Sequence, residues 1–309
     1  MKVVMYHYVR PGTDNPPYEY YYLDLEDFRR QLDYFEETYD VIDEERFLSY
    51  VNGEHYPSDD EVILTFDDGL SDHYEWVLPE LEARGLWGIF FAPGPIGKRL
   101  LPVHRVHSML GSADPAVLDD ELADVLQEME GIDDRGDRFQ QMYAQNEFSD
   151  ATRRLKFTLN YLIPYDRLSS VLDTLENRVS EVRPAEPAEY YMTREEVAAL
   201  SDAGMLIGGH TVSHPVLSRL PPGAQRTELN HSLDYVRDVA DPPILTFAYP
   251  YGSTEVFDET TLKRLHESDC SVAFTTESGD VSRGAFESTR LTVPRRDCNE
   301  FKHGSASIT

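Results

Sequence analysis

The sequence predicts an α/β fold of parallel strands joined by crossover helices, large enough at 309 residues to close into one barrel domain. Two observations carry this. Apolar β-type runs alternate with segments of helical period, and polar clusters recur where the strand runs end. The first strand is read at 3–9. Residues 24–39 place Leu25, Phe28, Leu32 and Phe35 at helical spacing, with Asp24 as the cap. Glu61 to Phe66 is a strand that stops at Asp67-Asp68-Gly69. A helix over 71–84 ends at Gly85, and Trp87 to Ala92 is the next strand.

The stretch from about 98 to 190 differs. It is polar and helical in pattern, and very acidic between Asp119 and Asp137. It is read as a helical insertion in a single domain covering 1–309. Asp133-Asp134-Arg135-Gly136-Asp137 lacks the ligand order of a calcium loop, so the acidic run is a solvated face. Alternation resumes at Thr193, which with Glu196 forms a capping box. Gly204 ends that helix, and a strand runs from Met205 into His210. Further elements are a helix at 223–239, a strand at 244–248, a helix at 258–268, a strand at 271–275 and a last strand at Ser288–Val293.

Composition narrows the partners. The net charge is −29, which disfavours nucleic acid and anionic membranes. Of 28 basic residues only five are Lys (Lys2, Lys98, Lys156, Lys263 and Lys302), and an acidic, lysine-poor surface of this kind suits a salt-rich, halophilic setting. No apolar run is long enough for a membrane span. The amino-terminal run is too short and polar for a secretory signal, which places the protein in the cytoplasm. Cys270 and Cys298 read as free thiols.

Three polar clusters follow strands: Asp67-Asp68, His210 with His214, and Tyr249-Pro250-Tyr251-Gly252. In α/β barrels the carboxyl ends of the strands build the active site, so three such clusters converge on one place. Two imidazoles four residues apart, joined by one carboxylate, make a His-His-Asp set with open positions, the composition of a hydrolytic metal site. A bare His-x-x-x-His pair is weak evidence alone. Adjacent strand-end residues point to opposite sides, so one of the two Asp residues can bind a metal while the other faces an attacking water.

These segments resemble the polysaccharide deacetylases, the NodB-homology domain of carbohydrate esterase family 4. Thr65-Phe66-Asp67-Asp68-Gly69 resembles the family's first motif. His210-Thr211-Val212-Ser213-His214-Pro215 resembles the second, and Phe247-Ala248-Tyr249-Pro250-Tyr251-Gly252 the third. Met5-Tyr6-His7 is similar to the first strand of many members. The resemblance covers about 1–95 and 190–295. It implies a distorted (β/α) barrel and hydrolysis of an N-acetyl group on a carbohydrate. It further implies a divalent metal, usually zinc but also cobalt or another divalent ion, held by Asp68, His210 and His214. Asp67 takes the place of the general base, and the Tyr251 backbone N–H that of an oxyanion donor.

Two departures stand out. Many members carry Arg before the Pro of the third motif, where this chain has Ala248-Tyr249. Many also carry a carboxyl-terminal Leu-His that supplies a general acid, and Ser288 to Arg295 contains no His. His107, with His104 beside it, is the candidate proton donor, and Arg290 the candidate to touch the base or the substrate. His7 and His73 are read as structural or near-site. Tyr18 to Tyr22 and Tyr190-Tyr191 read as packing rather than sugar platforms. Two other functions stay open: a hydrolase of cyclic amides or ureides, and a carbohydrate binder without turnover. The oligomeric state is not legible.

Overall fold

The structure is a computed structural model that describes residues 1–12, 20–95, 99–128, 148–183 and 186–306. The chain divides into two compact units. One comprises residues 1–12, 22–97 and 187–307, and the other residues 13–21, 98–186 and 308–309.

The first unit is built on one parallel sheet. Its strands are β1 (Lys2–Tyr6), β4 (Asp40–Val41), β5 (Glu61–Phe66), β6 (Gly88–Ala92), β7 (Leu206–Gly209), β8 (Leu245–Ala248), β9 (Cys270–Phe274) and β10 (Arg296–Asp297). A short pair, β2 (Val9–Arg10) and β3 (Leu23–Asp24), stands apart from it. The main order is β10-β1-β5-β6-β7-β8-β9, with β4 also on β5. Every pairing is parallel. Parallel sheets are covered on both faces, and all six residues of β5 are buried accordingly.

Helices follow the strands as expected. Helix α1 (Leu25–Thr38) is capped by Asp24, whose side chain accepts from Glu26 N. Helix α2 is Glu44–Val51 and α3 is Leu78–Arg84, which ends at Gly85 in the left-handed region. A π-turn at His73–Val77 precedes α3, so the expected 71–84 helix is not uniform.

The two sheet edges, β9 and β1, are joined by one segment. Val293 bridges Phe274 on β9, while Arg296 and Asp297 pair with Val4 and Met5 on β1. The last strand therefore lies later than the sequence placed it. Residues Ala285–Ser288 form a short helix, and the Ser288–Val293 strand is absent apart from the Val293 bridge. Pro294 lacks an N–H and cannot continue the ladder to β9, so the chain changes sides there and resumes against β1.

The second unit holds the 98–190 insertion. Its described helices are α4 (Pro102–Ser112), α5 (Pro115–Gln127), α6 (Asp150–Phe157) and α7 (Tyr165–Arg178). They enclose their own core, including Val106, Met109, Leu122, Leu155 and Leu172. Acidic residues of the run are matched by arginines, Asp119 with Arg154 and Glu128 with Arg178. The Asp133–Asp137 run and Tyr18 lie outside the described residues. Among the described residues no helix is long and apolar enough to cross a membrane, and both cysteines are free.

Back in the first unit are α8 (Pro187–Tyr190), α9 (Arg194–Asp202), α10 (Pro222–Ala240) and α11 (Glu259–Glu267). Helix α9 opens on the predicted capping box, both halves of which form. At Gly208 on β7 a Cβ would come within 2.5 Å of the Phe91 ring and of Thr246 Oγ1. Gly208→Ala is expected to lower stability by about 1–3 kcal/mol through overpacking, read as a shift of the urea midpoint without a change in slope.

Candidate active site

Strand register places the first carboxylate. Tyr6 pairs with Phe66, and Asp67 N donates to Tyr6 O (2.9 Å). His7 and Asp67 are therefore lateral neighbours just beyond the ends of β1 and β5. Alternate residues along a strand point to the same face, so Thr65 and Asp67, two apart, both reach Arg295 in the interior.

There Asp67 meets Arg295. The guanidinium donates from Nη1 to Oδ1 (2.7 Å) and from Nη2 to Oδ2 (2.6 Å). The side chains of Arg295 and Asp67 are 0% and 2% exposed. Arg295 Nε also donates to Thr275 O (3.0 Å) and Nη1 to Thr65 Oγ1 (3.2 Å). Burial alone would push Asp67 up. The charge and hydrogen bonds of Arg295, aided by His210 and His7, outweigh it and hold the carboxyl below its ordinary value.

Arg295 corrects two sequence expectations. Arginine support for Asp67 is present, although it does not come from the third motif. Arg290 does not provide it: that residue is exposed, and its carbonyl accepts from Ala273 N. The signal that was missed is the Pro294-Arg295 step. A proline that forces the chain from one sheet edge to the other leaves the next side chain inside the closure.

The other cluster gathers Asp68, His210 and His214, all buried. His210 Nε2 lies 3.2 Å and His214 Nε2 3.3 Å from the same oxygen, Asp68 Oδ1. Ligand atoms about 2.0–2.1 Å from a tetrahedral divalent ion are separated by about 3.3 Å, so the donor set and its spacing fit such an ion. His210 Nδ1 lies 2.8 Å from Ala248 O. A carbonyl only accepts, so Nδ1 carries the proton and Nε2 presents its lone pair. Burial lowers the His210 pKa, but its hydrogen bond to Asp68 and the charges of Asp67 and Asp68 raise it overall. The same negative field favours a cation.

The His210–His214 segment is a turn, not a helix. Thr211 and His214 have φ of 62° and 55°. Helix α10 holds this turn: Glu228 accepts from Val212 N (2.8 Å), Ser213 N (2.9 Å) and Ser213 Oγ (2.6 Å), and Ser232 Oγ accepts from His210 N (3.1 Å). Asp68 and Tyr251 also have positive φ, 78° and 62°. Four non-glycine residues in the left-handed region thus fall within the predicted motifs, the clustering that functional sites show. The Tyr251 ring stands edge-on to His214 at 4.9 Å, and Thr276 Oγ1 donates to its carbonyl (3.0 Å).

His107 lies in the second unit, on α4. Its ring stacks on Tyr20 at 4.2 Å, and His104 stands edge-on to it at 5.8 Å. Tyr190 is buried in the first unit, its hydroxyl 2.8 Å from that of Tyr8.

Comparison with known proteins supports the reading of these motifs. Residues 175–273 match the family model described as polysaccharide deacetylase, a span that holds the second and third motifs. Over that span, about a third of the chain, the sequence is similar to the polysaccharide deacetylase family. YxkH of Bacillus subtilis (strain 168), whose name carries the same family, is 27% identical over 95 residues, 31% of this chain and 33% of that protein. The match thus spans about a third of that relative's length.

Solved structures share the fold. The Streptococcus pyogenes deacetylase PplD, in complex with acetate, aligns with a TM-score of 0.57 at 17% identity over 96% of this chain and 91% of its own. IcaB from Ammonifex degensii gives 0.56 at 17% identity over the same shares. A de-N-acetylase from Aggregatibacter actinomycetemcomitans gives 0.53 at 14%, over 96% and 93%. The distorted α/β barrel with parallel strands is the fold the sequence predicts.

Arg295→Met leaves a buried carboxylate without its cation and is expected to destabilise the protein by about 3–5 kcal/mol at neutral pH. A carboxyl with a depressed folded pKa gives stability that is present above its unfolded value, about 3.9, and is lost as pH falls through the folded one. The deficit of the variant should therefore shrink as the pH falls from neutral, because burial without Arg295 pushes the Asp67 carboxyl up and it takes up a proton above its ordinary value. Asp67→Leu added to Arg295→Met should recover most of the loss. Urea titrations across pH measure both effects.

Proposed function

We propose that the chain is a metal-dependent hydrolase that removes the N-acetyl group from an amino sugar of a glycan or glycan precursor, releasing acetate. The observation that carries this is the juxtaposition of a buried Asp-His-His cation site with a separate carboxylate tethered by its own arginine. A binder needs only the first. Hydrolysis needs both.

Asp68, His210 and His214 would hold the ion, with zinc the best match to an imidazole and carboxylate donor set and cobalt the next. Such an ion polarises the scissile carbonyl and lowers the pKa of the attacking water. Asp67 takes the proton of that water as its oxygen adds to the acetyl carbon. Arg295 occupies one lone pair on each Asp67 oxygen and leaves the others to accept. The Tyr251 backbone N–H, on a residue fixed at positive φ, is assigned to the developing oxyanion.

The C–N bond then breaks, its electron pair goes to nitrogen, and the amine needs a proton. We assign that proton to His7. It is half-buried beside Asp67, and its positive charge would act on that carboxyl. His107 is the donor suggested by the sequence, and the two are separated by variants.

The test is acetate release from N-acetylated chito-oligosaccharides, run with metal analysis in molar KCl. Asp67→Asn should cut turnover by at least about 100-fold and keep the metal. His210→Ala should lose both. His7→Phe should lose turnover, whereas His107→Phe should stay within about twofold of wild type. A metal-loaded wild type that frees no acetate from any N-acetyl sugar sinks the reading.

The acidic, lysine-poor surface supports a salt-rich working medium. Molar KCl should raise the thermal midpoint and activity relative to dilute buffer, because screening relieves self-repulsion at −29. A midpoint indifferent to salt would count against it.

A further inference from the structure

We propose that Asp72 and His73 are positioning residues that hold the His7–Arg10 segment so that the His7 imidazole stays beside Asp67. The proposal rests on the deacetylase reading and on His7 as its proton donor.

His7 follows β1 and has left the main sheet, so strand pairing no longer fixes it. Two consecutive residues after the first motif do so instead. His73 Nε2 lies 2.9 Å from His7 O. Asp72 Oδ2 accepts from Val9 N (3.2 Å) and from Arg10 Nε and Nη2 (both 2.8 Å). The segment is thus fastened at His7 itself and again two to three residues later. Both fasteners sit within five residues of Asp68, so the helix start that carries them is continuous with the loop carrying both carboxylates.

His73 is an unusual choice for a packing position. It is fully buried, with its ring edge-on to Phe66 and Phe90 at 5.7 and 5.8 Å. Burial pushes its pKa down to about 4, so the ring is neutral and carries one proton. The His7 carbonyl only accepts, which puts that proton on Nε2. Nδ1 has no hydrogen-bond partner among the described residues. A phenylalanine would pack against the same rings without burying two nitrogens. What the imidazole contributes is the bond to His7.

The backbone fits this role. Leu78 N–H donates to His73 O, five residues back, the mark of a π-turn. Such turns are local departures from the helix that recur at functional sites. On the other side, the Arg10 guanidinium stacks over the Tyr8 ring at 4.9 Å, and the Tyr8 hydroxyl meets that of Tyr190. The segment is braced from both directions between its two fasteners.

A positioning role separates two reactions that a loss of fold would lower together. An amine leaving group needs a proton from His7, whereas 4-nitrophenolate departs unprotonated. The test compares wild type, His73→Phe, His73→Gln and Asp72→Asn on N-acetylchitopentaose and on 4-nitrophenyl acetate. His73→Phe should lower kcat on the amide by about 10–100-fold with KM within about twofold, and leave the ester rate within about twofold. His73→Gln, which keeps an N–H donor, should recover part of the amide rate. Asp72→Asn should show the same amide-selective loss without touching the ring, which covers the case of a His73→Phe that does not fold. Equal losses on both substrates, or an unchanged amide rate, overturn the positioning role alone. A wild type that cleaves the ester but not the amide overturns the deacetylase reading, and the positioning role with it.

Discussion

The buried pair of Asp67 and Arg295 is the constraint around which the first unit is organised. Two opposite charges sit at 0% and 2% exposure inside the sheet, joined by two hydrogen bonds, with the guanidinium directed also at Thr275 O and Thr65 Oγ1. Such a pair adds little net stability over an apolar pair, yet losing either member is costly. Its presence therefore reads as a functional requirement that the fold accommodates. The accommodation is visible in the join between β9 and β1, where the proline-led change of side aims Arg295 inward.

Around that pair the site is made of turns under strain and helices that hold them. Asp68, Thr211, His214 and Tyr251 each adopt a conformation that L-residues resist, at an individual cost of the order of 1–3 kcal/mol. The surroundings fix them: α10 through Glu228 and Ser232, the Ala248 carbonyl through His210, and Thr276 through Tyr251. Ligands on such turns cannot relax easily, so the three donor atoms stay converged by backbone geometry.

Much of this was legible in the sequence because period and placement are local signals. The alternation that marked β5, β6, β7, β8 and β9, the Thr193 capping box and the strand-end clusters all depend on residues close together in the chain. The three motifs brought Asp68, His210 and His214 to one site for the same reason. What the sequence did not disclose depends on distant contacts. Arg295 looks like any arginine in a polar tail until the sheet edges are seen to share its segment. His7 reads as structural or near-site from the sequence alone, because its place beside Asp67 follows from the register that brings β1 against β5 and from bonds to residues distant in the chain. The π-turn at His73–Val77 leaves no trace in apolar spacing, and the final strand was misplaced because a single bridge at Val293 stands where a run was expected.

Distance along the chain gives the Asp67–Arg295 contact a timing as well as a geometry. The two residues are 228 apart in sequence. A ribosome adding about 5–20 residues per second needs roughly 10–45 s to pass from one to the other. Through that interval the nascent chain already carries the carboxylate and, for much of it, the neighbouring strands, but not the guanidinium. Burying Asp67 ionised would then cost several kcal/mol, so the interior around it stays open until the late segment arrives. Completion of the barrel and pairing of its buried carboxylate become the same event, set by the order of synthesis.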